Sequence, residues 1–196
     1  MNLPNKLTVS RFALTAVFLV VVFWEFPYNE TVALAVFVAA SITDWMDGAI
    51  ARSRNLITSF GILMDPLADK ILTCSAFIAF VGHGYMPAWM VVIIVARELA
   101  ITGLRLLAAN KQVVLAAEGL GKHKTISQIT TIISILVYVS YQQWGPIGKA
   151  IFGFHVLGAP WVAGFKVLSL WLTMMLTFVS GALYLWRNRA LYLRDM

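Results

Sequence analysis

Charged residues are scarce in this sequence. Only 12% of the 196 residues are Asp, Glu, Lys or Arg, and 60% are hydrophobic, whereas a soluble domain carries about 25% charged residues. The mean hydropathy is +0.81. This scarcity excludes an ordinary water-soluble domain. The length suits a single domain, residues 1–196, in a lipid bilayer.

Cysteine and histidine are also rare. The single cysteine, Cys74, lies in an apolar run and cannot form an intrachain disulfide, so it is interpreted as a packing residue. The three histidines, His83, His123 and His155, are far apart in the sequence, and none is assigned chemistry. A zinc site needs Cys or His ligands and is therefore not predicted.

The charge that is present is mostly positive. The formal net charge is +6 and the pI is about 9.7. In a membrane protein such an excess is typical of cytoplasmic loops and of contact with anionic lipid headgroups. Nucleic acid is therefore not expected as a partner.

Long apolar runs occupy most of the chain. A helix that crosses a bilayer needs about 20 mostly apolar residues, and in lipid it must satisfy its own backbone hydrogen bonds. Six runs qualify, at residues 7–26, 32–52, 60–81, 87–109, 126–144 and 163–186. We therefore predict an all-α integral membrane fold with six transmembrane helices and an N-terminal interfacial segment.

The positions of Lys and Arg predict the orientation of these helices. The cations are concentrated at both termini, between the second and third spans, and between the fourth and fifth. The first-to-second and third-to-fourth connections contain none. By the positive-inside rule, both termini face the cytoplasm.

Four of the five aspartates lie within the second and third predicted spans. Asp44 and Asp47 are three residues apart and Asp65 and Asp69 four apart, so each pair shares a helix face. The connection between the two helices is short, which makes them antiparallel neighbours and lets the four carboxylates converge near the cytoplasmic end. A carboxylate within the membrane is costly, so it indicates a function.

Four carboxylates in one place need cations. Only Arg52 and Lys70 are nearby in the sequence, so one or two divalent metal ions are the simplest way to balance the four negative charges. Oxygen ligands favour Mg²⁺, Mn²⁺ or Ca²⁺. A proton relay or an ion-pair network is the alternative. Gly48, Ala51 and Gly61 lie on the same faces and leave room for a bulky ligand, although close helix packing would also explain them.

The aspartates belong to a longer pattern. Written out, it is D-x2-D-G-x2-A-R-x8-G-x3-D-x3-D, and it runs from Asp44 to Asp69. At all of its fixed positions this pattern resembles the signature of the CDP-alcohol phosphotransferase family. The resemblance implies a reaction in which an acceptor hydroxyl attacks the β-phosphorus of a CDP-linked lipid and CMP leaves.

The resemblance also implies roles for individual residues. It implies two Mg²⁺ or Mn²⁺ ions on Asp44, Asp47, Asp65 and Asp69, with Asp69 also the general base. It implies a homodimer, and an N-terminal donor-binding turn at residues 5–8. The implied contacts of CDP-diacylglycerol are Asn5, Thr8, Gly48, Ala51, Arg52, Thr58 and Gly61.

A second polar set bears on the acceptor. Arg97 and Arg105 are eight residues apart and share a face of the fourth span, while Glu98 is predicted to point elsewhere. Lys122 and Lys124 open the fifth span from the cytoplasmic side. Such cations suit an anionic acceptor. The sequence around them is similar to that of the branch of the family that uses glycerol 3-phosphate. Positive-inside topology is the alternative for the lysines, but it does not explain a mid-span arginine.

Other functions remain open at this point. Inositol phosphate, phosphatidylglycerol and serine are alternative acceptors. A divalent-cation transporter would also place carboxylates in its spans, but it would need a polar path across the whole bilayer. The expected location is the inner (cytoplasmic) membrane, with membrane lipids as neighbours and the active site facing the cytoplasm.

Overall fold

Six long helices make up most of the part of the chain that the structure describes. This computed structural model describes residues 3–54, 59–113, 120–156 and 158–193, with side chains placed for 9–43, 70–113, 123–156, 158–189 and 191–192. The long helices are α1 (Leu3–Phe23), α2 (Asn29–Arg54), α3 (Ser59–Gly82), α4 (Ala88–Asn110), α5 (Leu120–Ser140) and α7 (Trp161–Arg187). The short elements are a 3-10 turn (Tyr141–Trp144), α6 (Gly145–Phe152), α8 (Arg189–Leu193) and the antiparallel strands β1 (His155–Val156) and β2 (Ala159–Pro160).

The long helices follow the six predicted spans in order, and prolines and glycines mark several of their ends. Pro87 and Pro160 immediately precede α4 and α7, with extended ψ angles of 139° and 132°. Proline suits this position because a helix start does not need its missing N–H. Gly84, just after α3, has a φ of +70°, which is accessible to glycine at little cost.

The predicted N-terminal turn is wrong. Residues 5–8 are helical, because α1 begins at Leu3 and continues to Phe23. Pro4 is compatible with this start, since the first turn of a helix has no intrahelical acceptor for its N–H groups. The segment predicted to lie at the interface is therefore the first part of α1.

The polarity of α7 is reversed relative to a soluble helix. Its buried face carries the hydroxyl residues Ser169, Thr173, Thr177 and Ser180. Its exposed face carries large apolar side chains, among them Leu168, Trp171, Leu172, Met175, Phe178, Val179 and Trp186. A helix in contact with water would expose the polar face instead. This distribution is the one expected of a helix surrounded by lipid.

Length and apolar composition identify one helix in the described chain, α7, as long and apolar enough to cross a membrane. Shorter apolar helical stretches occupy Val9–Phe23, Asn29–Thr43 and Lys70–Gly82. The predicted all-α architecture is therefore confirmed in its helical content. The number of crossings and the orientation stay predictions.

All six long helices contribute to the apolar core, and four of its phenylalanines lie on α1, α2 and α3. Phe18, Phe37, Phe77 and Phe80 have no exposed area there. The helix α1 packs against both α2 and α3, while α4 packs against α3 and α7. The core therefore fixes α3 and α4, which carry most of the polar side chains considered below.

Hydroxyl groups join α5 to α7. The Oγ1 atoms of Thr131 and Thr173 are 2.8 Å apart, and the Oγ atoms of Ser134 and Ser169 are also 2.8 Å apart. Lipid supplies no hydrophobic drive between helices, so such interhelical hydrogen bonds, together with close packing, hold membrane helices together. These contacts position α5 beside α7, which also packs against α4.

Candidate active site

The four predicted metal ligands lie on two helices with a short connection. Asp44 and Asp47 belong to α2, and Asp65 and Asp69 belong to α3. Both helices are continuous through these positions, so the spacing places each pair on one helix face. The aspartate side chains lie outside the described set, and their convergence stays a prediction.

The predicted donor contacts lie on the same helices and on α1. Thr58 falls outside the described residues. Of the other six, the structure describes the helical backbone but not the side chains: Asn5 and Thr8 in α1, Gly48, Ala51 and Arg52 in α2, and Gly61 in α3. Their roles stay predictions.

The chemistry of the aspartate set suits a hard divalent cation, because its donors are carboxylate oxygens. Lys70, one of the two cations expected near the aspartates, donates a 2.8 Å hydrogen bond from Nζ to Oε2 of Glu98. One of its three N–H donors is therefore engaged by another carboxylate. Within the described side chains no group of three or more His, Cys, Asp or Glu could hold a metal, and that set does not include the four aspartates.

Glu98 of α4 is the centre of a buried ionic cluster. Its side chain is 2% exposed, and its Oε2 accepts the hydrogen bond from Lys70 of α3. Its Oε1 accepts hydrogen bonds from Lys124 Nζ, from Arg97 Nη1 at 3.3 Å and from Gln128 Nε2 at 3.2 Å. Three helices, α3, α4 and α5, thus meet on one carboxylate. We call Lys70, Arg97, Glu98, Lys124 and Gln128 the Glu98 cluster.

The prediction that Glu98 points away from Arg97 is wrong. Adjacent residues on a helix do start about 100° apart, because a turn holds 3.6 residues. The long arginine side chain nevertheless reaches back to the carboxylate beside it. The sequence signal that could have identified this site is the rule already applied to the aspartates, that a carboxylate within a span needs a partner.

Arg97 also contacts α7. Its Nη2 lies 3.3 Å from Ser180 Oγ, and its side chain runs over Gly181. A Cβ at Gly181 would lie 2.5 Å from Arg97 Cγ, which is closer than real Cβ contacts come. Glycine is therefore required here for the arginine to occupy this position.

Arg105 lies further along the same side of α4. Its Nε is 3.5 Å from Tyr184 Oη, and its guanidinium carbon is 5.7 Å from the centre of the Tyr184 ring. Ser180 and Tyr184 are four residues apart on α7, so both arginines face the same surface of that helix. The predicted shared face of Arg97 and Arg105 is confirmed by these contacts.

The two predicted lysines lie in the first turns of α5, which begins at Leu120. Lys124 is buried and belongs to the Glu98 cluster. The side chain of Lys122 lies outside the described set. Lys124, Arg97 and Lys70 are thus brought together by the fold, while Arg105 lies on the same helix face as Arg97.

Known proteins and one family model are similar to this chain over most of its length. The family model described as CDP-alcohol phosphatidyltransferase matches residues 1–179. A protein of Bacillus subtilis (strain 168) named CDP-diacylglycerol–glycerol-3-phosphate 3-phosphatidyltransferase is 38% identical over 95% of this chain and 95% of its own length. Proteins with the same name from Rickettsia bellii (strain RML369-C) and Salmonella paratyphi A (strain ATCC 9150 / SARB42) are each 34% identical, over 93% and 92% of this chain and 93% and 94% of their own lengths. The chain therefore belongs to the CDP-alcohol phosphatidyltransferase family.

Proposed function

We propose that this chain transfers the phosphatidyl group of CDP-diacylglycerol to sn-glycerol 3-phosphate, which gives phosphatidylglycerophosphate and CMP. The family, the aspartate signature and the names of the relatives all support this reaction. They lend no support to a cation transporter. The observation that carries the choice of acceptor is the Glu98 cluster, in which Lys70, Arg97 and Lys124 share one carboxylate.

The charge of this cluster suits a phosphate monoester. Three cations against one carboxylate leave two positive charges uncompensated within the cluster, and a phosphate monoester carries a charge of about −1.5 to −2 at pH 7. Arginine binds phosphate through two parallel N–H groups, and lysine adds a compact charge. Serine and phosphatidylglycerol do not offer such a group, whereas inositol phosphate does.

The proposed reaction also gives roles to the other predicted site residues. Members of the family use divalent metal ions, and two Mg²⁺ or Mn²⁺ ions held by Asp44, Asp47, Asp65 and Asp69 would supply charge neutralisation at the diphosphate when bound. Asp69 accepts the proton of the acceptor hydroxyl. The donor is bound by Asn5, Thr8, Gly48, Ala51, Arg52, Thr58 and Gly61. The acceptor's phosphate is bound by Arg97, Arg105, Lys122 and Lys124.

The proposed placement in the membrane follows from the same residues. The six long helices cross the cytoplasmic membrane with both termini in the cytoplasm, which the positions of Lys and Arg support. The resemblance to the family supports a homodimer. Arg97 and Arg105 are about 12 Å apart along α4 at 1.5 Å per residue. In this orientation Arg105 is closer to the cytoplasm, from which a soluble acceptor arrives, and Arg97 lies deeper.

An acceptor panel tests this function. Purified protein in nanodiscs would receive CDP-diacylglycerol, Mg²⁺ and one of four labelled acceptors: glycerol 3-phosphate, inositol phosphate, phosphatidylglycerol or serine. We expect labelled lipid with glycerol 3-phosphate at a kcat/KM well above that of the other three. A preference for serine or phosphatidylglycerol would contradict the proposal, and a preference for inositol phosphate would correct its acceptor while keeping its chemistry.

Replacement of Arg105 by alanine should weaken the use of glycerol 3-phosphate more than that of CDP-diacylglycerol. A hydrogen bond to a charged group contributes about 1.5–3 kcal/mol, which corresponds to a roughly 10- to 150-fold rise in the acceptor KM. Paired KM measurements for the two substrates provide the check.

The matched control for this variant is Arg189→Ala. Arg189 is also an exposed arginine against an aromatic ring, 4.7 Å from the centre of Trp186, but it lies in α8. We expect its two KM values to stay near those of the wild type. An Arg105→Ala enzyme whose donor KM rises as much as its acceptor KM would remove Arg105 from the acceptor site.

Replacement of Gly181 by alanine should impair the enzyme through Arg97. The added methyl group has to displace the Cγ of Arg97, and a lost charged hydrogen bond costs about 1.5–3 kcal/mol, so kcat/KM for glycerol 3-phosphate should fall roughly tenfold or more. Gly164→Ala is the control, because it lies on the same helix with no atom within 4 Å of an added Cβ. Equal activity of the two variants would show that the position of Arg97 does not matter.

A further inference from the structure

Glu98 has no place in the aspartate signature, yet it lies where the described helices of the site meet. Its carboxylate binds Lys70 of α3 through one oxygen and Lys124 of α5 through the other. Arg97, which shares the second oxygen, continues the contact to Ser180 of α7. One buried acid therefore links four helices.

The cations of this cluster would not hold their positions without it. Like charges repel, and a buried cation that loses its counter-charge is strongly destabilised. Lysine has a flexible four-carbon stem, so Lys70 and Lys124 would turn toward other acceptors or toward water. Gln128 adds a neutral donor to the same Glu98 oxygen and further restricts the carboxylate.

The cluster also connects the cations proposed to bind the acceptor's phosphate to α3, which carries two of the predicted metal ligands. Lys70 directly follows Asp69 in α3, so its 2.8 Å bond to Glu98 ties α4 to the turn that bears Asp69. The three-carbon chain of the acceptor limits how far its hydroxyl can lie from its phosphate. A shift of the cations relative to α3 would therefore misplace the hydroxyl with respect to Asp69.

We infer that Glu98 is the positioning residue of the acceptor site. Its carboxylate holds Lys124 and Arg97 where they bind the phosphate of glycerol 3-phosphate, and through Lys70 it sets their distance from Asp69. The inference rests on the proposed function and assigns its acceptor site a residue that touches neither substrate. Glu98 acts through the cations, so its effect depends on their presence.

A double-mutant cycle tests this dependence. Glu98→Gln keeps the shape and removes the charge, Lys124→Met removes the cation, and the two are combined. We expect Glu98→Gln alone to lower kcat/KM for glycerol 3-phosphate about 10- to 100-fold and to change the KM for CDP-diacylglycerol no more than about twofold. In the Lys124→Met background, Glu98→Gln should lower kcat/KM for glycerol 3-phosphate much less. Glu98→Asp, which keeps the charge, should recover part of the activity.

The outcomes separate this inference from the proposed function. Suppose that the wild-type enzyme uses glycerol 3-phosphate, and that Glu98→Gln lowers kcat/KM equally with and without Lys124→Met. This result would overturn the positioning role but not the proposed function. So would equal losses for both substrates, which is the pattern of a structural brace. Wild-type enzyme that prefers serine would overturn the acceptor and the inference together.

Two further variants keep the test decisive. Glu30→Gln is the matched control, since Glu30 accepts a 2.6 Å hydrogen bond from Gln143 at the opposite end of α2 from the aspartates, and we expect wild-type kinetics. If Glu98→Gln does not fold, Gln128→Met tests the inference instead, because it removes one neutral hydrogen bond from the Glu98 carboxylate. It should raise the KM for glycerol 3-phosphate about 2- to 10-fold and leave the KM for CDP-diacylglycerol unchanged. Unchanged values for both substrates would contradict the inference.

Discussion

Treatment with EDTA is expected to abolish phosphatidyl transfer, and added Mg²⁺ or Mn²⁺ to restore it. Four aspartates lie on two helices with a short connection, and like charges in a membrane do not remain ionised without cations. Lys70, one of the few cations near them in the sequence, donates a hydrogen bond to Glu98. The donor's diphosphate adds further negative charge, which the metal ions would offset.

The control for this experiment is EDTA saturated with Mg²⁺ beforehand, which should have no effect. It separates chelation from any action of EDTA on the detergent or the lipid. The activity is read as CMP release from CDP-diacylglycerol. Full activity in excess free EDTA would contradict the metal site and, with it, the role given to the aspartates.

Replacement of Asp69 by asparagine should lower turnover about 10²- to 10⁴-fold, the usual contribution of a general base. The asparagine keeps the size and the oxygen ligand but cannot accept the hydroxyl's proton. We expect CDP-diacylglycerol to bind this variant with a smaller loss than the loss in kcat. Turnover from pre-steady-state CMP release and donor binding by displacement of labelled lipid measure the two effects separately.

Asp195→Asn is the matched control for Asp69→Asn. It makes the same chemical change at the one aspartate outside the α2 and α3 segments, and it should retain wild-type turnover. Near wild-type turnover in Asp69→Asn would show that another group accepts the proton. Equal losses of donor binding and turnover would instead make Asp69 a ligand without a role in proton transfer.

The helices and the arginine face could be predicted because both depend on periodicity. Apolar runs of span length must be helical in lipid, and the six long helices follow those runs in order. The eight-residue spacing of Arg97 and Arg105 places both on one side of α4, and their contacts with Ser180 and Tyr184 agree with that. The helical start of α1 was missed because local polarity and one proline suit a turn as well as a helix start.

The Glu98 cluster could not be predicted from periodicity. Spacing gives the direction in which a side chain leaves the helix, but not the path of a long one, and Arg97 turns back onto its neighbour. The contacts of Lys70 and Lys124 with Glu98 span 28 and 26 residues of sequence. Only the packing of α3, α4 and α5 brings these groups together. A carboxylate in a span was nevertheless a sufficient reason to expect partners.

The most direct test of the proposed reaction is a product balance in a single vesicle preparation. Purified protein in phospholipid vesicles would receive CDP-diacylglycerol, Mg²⁺ and labelled glycerol 3-phosphate. It should form labelled phosphatidylglycerophosphate and CMP in equal amounts. Without glycerol 3-phosphate it should form neither product. CMP release that does not depend on glycerol 3-phosphate, or an absence of labelled lipid, would contradict the transfer.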